Sequence, residues 1–264
     1  MCNRFDCIGW LKLISCCHLA TPGKQGGLVL NQHFCIPDLH RITLFVGAYG
    51  SGKSEVSVNF ALWQASLGRA VTLCDLDTIN PFFRSADARK LAETNGIRLI
   101  APIFAGTNVD VPAVPGEVNS VFDDPSRQAV LDIGGEDLGA RVVASLQPQL
   151  IAAQPPPAVY MVVNPFRPFT QTAGQIIQVA RELMAAAKLP LSGLVHNANL
   201  LQDGDASLLE ETQGVVQSAA AALGLPIVFA AAMDRQIPAD WPAGFTPGGL
   251  PLLRLRHSID YRLD

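Results

Sequence analysis

The chain has 264 residues, 49% of them hydrophobic and 16% charged, which suits one α/β domain with a real core and excludes a disordered chain. A formal net charge of −4 gives no reason to expect nucleic acid or an anionic membrane surface as a partner. Five of the six cysteines (Cys2, Cys7, Cys16, Cys17 and Cys35) fall before residue 36, which is no disulfide framework and points to a reduced, cytoplasmic setting; no apolar run reaches the roughly 18 residues of a membrane-spanning helix.

Residues 1–40 lack clean periodicity. Ile8 to Ala20 is apolar enough for a short signal core, but Arg4 is offset by Asp6, and the cysteine spacings do not make a zinc knuckle. This stretch is expected to be a poorly ordered extension, with one organised domain over residues 41–264. From there the pattern is strand, turn, helix, repeated. Ile42 to Val46 reads as a buried strand and Lys53 to Leu67 as a helix closed by Gly68. Strands are expected at Ala70 to Cys74 and Ile97 to Ile100, with a short helix at Ser85 to Asn95 between them. Pro102 to Pro125 reads as a loop with one helical turn near Val118. A strand at Ala129 to Asp132 precedes a helical stretch, Leu138 to Ala153, interrupted at Pro148. Then come a strand at Val159 to Val163, an amphipathic helix at Thr170 to Lys188, a strand at Leu191 to Val195, a helix at Leu208 to Leu223 and a last strand at Ile227 to Ala231. Such alternation predicts a mostly parallel, doubly wound sheet with helices on both faces, and a ligand site at the carboxyl ends of the strands.

The segment from Gly47 through Ala48, Tyr49, Gly50, Ser51, Gly52 and Lys53 to Ser54 fits the phosphate-loop pattern G-x-x-x-x-G-K-[ST], after a strand and before a helix. Glycines let successive amides turn inward onto phosphate oxygens, and the helix start adds partial positive charge. Lys53 is expected at the β- and γ-phosphates and the Ser54 hydroxyl on Mg²⁺. Only five lysines occur in the chain, so one inside a glycine loop stands out. Two further strand ends are acidic. Asp132, after three apolar residues, suits the carboxylate that holds magnesium's shell, with Gly135 offering its amide to the γ-phosphate; Asp75 and Asp77 end the second strand. Ser54, Asp75 and Asp132 are the expected metal-side residues, and one of Asp75 and Asp77, either of which can face the site from a strand end, is expected to orient an attacking water.

Together, Gly47 to Ser54, Asp75-Leu-Asp77 and Asp132-x-x-Gly135 resemble the MinD/ParA/CobQ-type P-loop ATPases. The runs Asp75 to Ser85 and Val162 to Thr170 are similar to a bacterial nucleotide-binding branch of that group. The resemblance implies ATP as the nucleotide, activation of water by Asp77, and an asparagine at a late strand end, Asn197 or else Asn164, that reads the adenine edge. Ala48 stands where that group carries a signature lysine, so the resemblance does not support a nucleotide-sandwich homodimer; Arg84 is the substitute charge considered. His196-Asn-Ala-Asn199 lacks the N-K-x-D of guanine readers. The expected function is Mg²⁺-dependent ATP binding and hydrolysis that switches the protein for a protein partner of unknown identity. A small-molecule phosphotransferase or ATP-dependent ligase and a non-enzymatic nucleotide-dependent module are the alternatives.

Overall fold

The structure, a computed structural model, describes residues 31–77, 86–101, 116–198 and 204–257. In these residues the strands are β1 (Ile42–Val46), β2 (Val71–Leu76), β3 (Arg98–Ile100), β4 (Gln128–Ile133), β5 (Ala158–Val163), β6 (Gly193–Asn197), β7 (Ile227–Met233) and β8 (Leu252–Leu255). The helices are α1 (Lys53–Ser66), α2 (Ala86–Thr94), α3 (Ser120–Asp123), α4 (Glu136–Ser145), α5 (Gln147–Ala152), α6 (Ala173–Ala187) and α7 (Ser207–Leu223), with a 3-10 turn at Gly116–Asn119 ahead of α3.

The eight strands form one sheet in the order β3-β2-β4-β1-β5-β6-β7-β8, every neighbouring pair parallel. The expected doubly wound parallel sheet is therefore present. Parallel strands need covering on both faces, which is why β1 is buried along its whole length. Ile42, Leu44 and Val46 point into one core with Val142 of α4, Ile176 of α6 and Val216 of α7. Phe45 points into the other, with Val56 and Phe60 of α1. Full burial of such side chains stabilises by about 1.5–3 kcal/mol each. An aromatic group anchors the second core: Phe45 and Phe60 meet edge to face at 5.3 Å, and Phe60 stacks on Phe229 at 5.9 Å.

Residues 31–40, expected in the extension, pack on this core. Phe34 is buried and edges against Trp63 at 4.7 Å and Phe229 at 5.4 Å. The Asn31 amide donates to the Arg254 carbonyl (3.1 Å) while its oxygen accepts from the Arg254 amide (2.8 Å), so one side chain extends the backbone pairing of β8. The packed unit thus reaches back at least to Asn31. β8 lies beyond the last strand expected from sequence. Only four residues long and set behind a stretch dense in proline and glycine, it shows no usable alternation.

Helix ends differ by a few residues for local reasons. α6 starts at Ala173 rather than Thr170 because Thr172 is its N-cap. The Gln175 amide donates to the Thr172 hydroxyl (3.3 Å) and the Thr172 amide donates to the Gln175 side chain (3.1 Å), a closed capping box. The interruption foreseen at Pro148 falls at Leu146, and Pro148 sits in the first turn of α5, where a missing N–H costs nothing.

Candidate functional site

The central strand β1 ends at Val46 and the chain curls. Gly50 and Gly52 take left-handed φ values of 72° and 87°, and the Ser51 amide closes a turn on the Ala48 carbonyl at 3.2 Å. Two of the glycines are also required by space. A side chain on Gly47 would meet the Val162 carbonyl at 2.5 Å, and one on Gly52 would run into the Asn197 amide nitrogen. α1 starts directly behind the loop with no side chain capping it, so its first amides remain available at its positive end. The Lys53 side chain is buried and folds back over the loop, its Nζ donating to the Ala48 carbonyl at 3.1 Å. The curled loop and the lysine folded over it thus lie together at the carboxyl end of β1.

The acidic strand ends come together beside it. β2 and β4 pair in a register that sets Asp75 next to Asp132, both fully buried. Asp75 accepts the Asp77 amide at 3.2 Å. Neither carboxylate oxygen of Asp132 meets a donor with hydrogen-bonding geometry. Burial, and after it the charge of Asp75, push the Asp132 pKa up; the nearby Ser54 hydroxyl and Lys53 ammonium offset this only in part. A buried carboxylate without donors is unfavourable by itself, and a hard cation is the group that such an oxygen suits. Among the described residues no three His, Cys, Asp or Glu side chains gather as a metal cage. Mg²⁺ takes one or two protein oxygens and fills its shell with water and phosphate. Ser54 and Asp132 therefore fit Mg²⁺ bound with a phosphate ligand.

The chain leaving β4 runs between Asp77 and the loop. A side chain on Gly134 would lie 3.1 Å from Asp77 Oδ1, and one on Gly135 would lie 3.1 Å from the Tyr49 nitrogen and 3.4 Å from Lys53 Nζ. Gly135 thus lies against the glycine loop. Asp77, half-buried just past β2, is open enough for water to reach.

Asn197 sits at the end of β6, fully buried beneath the loop, and donates its amide to the Ser51 carbonyl at 2.8 Å. Its Oδ1 is buried without a hydrogen-bond partner. In this position it braces the loop. Asn164 is equally buried and shapes the segment after β5: it accepts the Phe166 amide at 3.1 Å on its side chain and the Thr170 hydroxyl at 2.7 Å on its carbonyl. Beside Asn197, His196 is a core histidine, held by Thr212 at 2.8 Å, its pKa lowered to about 4 by burial. Arg84, Asn199 and the segment 102–115 lie outside the described residues. One contact had no assigned role in the sequence: Arg167 Nε donates to the Gly50 carbonyl at 3.1 Å. Its only signal was the Val162 to Thr170 run, noted for similarity rather than chemistry.

No family model matches this sequence, and no curated protein does. Solved structures do resemble the fold. The cell division protein FtsY of Thermotoga maritima is 18% identical, with a TM-score of 0.50, over 86% of this chain and 69% of that one. Chloroplast FtsY of Physcomitrella patens is 16% identical, with a TM-score of 0.50, over 83% and 65%. FlhF, solved with GTP and Mg²⁺, is 12% identical, with a TM-score of 0.49, over 95% and 80%. The two FtsY structures correct the MinD/ParA/CobQ resemblance, for they belong to a different P-loop branch. The G-x-x-x-x-G-K-[ST] spacing at the centre of that resemblance marks a P-loop and does not tell its branches apart. The roles drawn from it alone, adenine readout by Asn197 and the significance of Ala48, lose that support. At these identities the likeness shows the fold, which is that of a P-loop NTPase.

Proposed function

We propose that this protein binds a nucleoside triphosphate with Mg²⁺ in the loop from Gly47 to Ser54 and hydrolyses it slowly, as a switch for a protein partner. The observation that carries this is the buried Lys53 ammonium folded over a curled glycine loop, beside a buried Asp132 carboxyl group whose oxygens meet no donor with hydrogen-bonding geometry. Phosphate oxygens would replace the Ala48 carbonyl as the acceptor for Lys53, and loop amides with the N-terminus of α1 would neutralise the rest of the polyanion. Ser54 and Asp132 would hold Mg²⁺, Asp132 directly or through a water, with Asp75 behind it. The bound ion supplies charge neutralisation on the phosphates.

For hydrolysis, Asp77 would orient a water toward the terminal phosphate; its closeness to Gly134 and its place outside the buried strand end support this role. Gly135, packed against Tyr49 and Lys53, is the point at which loss of that phosphate would release the chain after β4. A partner that reads this movement gives the hydrolysis its use. The two described cysteines, Cys35 and Cys74, are buried, and burial pushes the Cys74 thiol up to about 12. No helix among the described residues is long and apolar enough to cross a membrane.

Labelled ATP and GTP, each with and without Mg²⁺, test the proposal and decide the base. The expected result is Mg²⁺-dependent phosphate release, lost in Lys53→Ala and in Asp77→Ala. Turnover only with an added acceptor would make the protein a phosphotransferase or ligase. Tight binding with no turnover would make it a binding module, and no binding of either nucleotide would sink the proposal.

A further inference from the structure

The segment after β5 sets a second cation on the crest of the glycine loop. Arg167 Nε donates to the Gly50 carbonyl, and a side chain built on Gly50 would meet that Nε at 3.3 Å and the guanidinium carbon at 3.7 Å. The guanidinium therefore rests directly on the loop. The backbone carrying it is tied down on both sides. The Arg167 amide donates to the Asn164 carbonyl at 3.0 Å, the Thr170 amide to the Arg167 carbonyl at 3.2 Å, and the Thr170 hydroxyl to the Asn164 carbonyl. Phe169 is held at a φ of 67°, a left-handed conformation that is costly for an aromatic residue.

Nε is one of the five N–H donors of the guanidinium. None of the described carboxylates forms an ion pair with Arg167. Lys53 Nζ on the Ala48 carbonyl marks the end of the loop to which the β- and γ-phosphates would come. Gly50 is two residues along the same crest, and Ala48 itself brings no charge.

We propose that Arg167 is the second cation of the phosphate site: its Nε anchors it to Gly50, and its terminal N–H groups pair with oxygens of the terminal phosphate. This rests on the triphosphate-binding function proposed above. A planar fork already fixed by one bond loses little freedom when it engages a phosphate, and arginine matches two phosphate oxygens at once. An arginine that merely braced the loop would serve diphosphate and triphosphate alike, whereas a cation aimed at the terminal phosphate favours the triphosphate.

Calorimetric titration of the full chain with Mg²⁺ and ATP, ADP, GTP or GDP separates these roles, using wild type, Arg167→Ala, Arg167→Gln and Arg167→Lys, each first shown to melt cooperatively. The expected result is about tenfold weaker triphosphate binding in Arg167→Ala and Arg167→Gln, with diphosphate binding changed less than about twofold and part of the loss recovered in Arg167→Lys. An equal loss for both nucleotides, or full triphosphate affinity in Arg167→Gln, overturns the proposal. A wild type that binds triphosphate beside variants that bind it equally well overturns this proposal alone; a wild type that binds neither triphosphate overturns the proposed function with it.

Discussion

Asp132 and His196 occupy equivalent places in the fold and meet opposite fates. Each is an ionisable residue at or near the carboxyl end of a parallel strand, and each is about 1% exposed. Around His196 the protein meets the polar demand itself. The Thr212 hydroxyl donates to the Leu208 carbonyl at 2.7 Å, which leaves its oxygen to accept from His196 Nε2, and burial keeps the ring neutral. Around Asp132 it does not: no donor meets the oxygens with hydrogen-bonding geometry, the nearby Ser54 hydroxyl offsets only part of the penalty, and the neighbouring charge of Asp75 makes matters worse. A residue whose surroundings satisfy it belongs to the core, while one that its surroundings penalise is suited to a ligand.

The largest effect expected from this contrast concerns pH. The His196 pKa falls from 6.5 to about 4 on folding, so between those values the unfolded chain binds more protons. Stability is complete above pH 6.5 and declines as pH falls toward 4, by about 3 kcal/mol from this group. Urea unfolding of wild type and His196→Gln at pH 7 and pH 4 measures it: the glutamine variant should lose that much less on acidification. Equal losses would mean that the ring is not held neutral by burial.

A smaller effect of opposite kind is expected at Asp132. Replacing it with Asn removes the cost of burying or protonating that carboxyl group, and the nucleotide-free protein should gain about 1–2 kcal/mol in thermal unfolding while Mg²⁺-dependent triphosphate binding weakens. A variant that melts lower and binds normally would place Asp132 in the core beside His196. The smallest effect lies away from both residues. Thr172→Ala opens the capping box of α6 and should cost about 1 kcal/mol with nucleotide affinity unchanged. A change in affinity there would mean that the rest of the sheet is not independent of the loop.

Much of this was legible in the chain. The alternation of strand and helix announced the parallel sheet, and the Gly47 to Ser54 spacing placed the loop at the end of its central strand, because both patterns are local. What stayed hidden depends on contacts between distant segments. Phe34 and Asn31 show no periodicity, and their place is set by Trp63, Phe229 and Arg254. The brace from Asn197 to Ser51 and the contact of Arg167 with Gly50 join residues more than a hundred positions apart. The branch was misread because the spacing of the glycine loop marks a P-loop of any branch.

The most direct test is the equilibrium affinity of wild type and Lys53→Ala for ATP and GTP with Mg²⁺, each protein checked for an unchanged fold by circular dichroism. The expected result is micromolar or tighter binding of at least one triphosphate by the wild type and a loss of about a hundredfold or more in the variant, on the scale of one charge-assisted contact buried with its partner. Equal affinity in the two proteins, with the fold intact, would contradict the assignment of the Gly47 to Ser54 loop as a phosphate site.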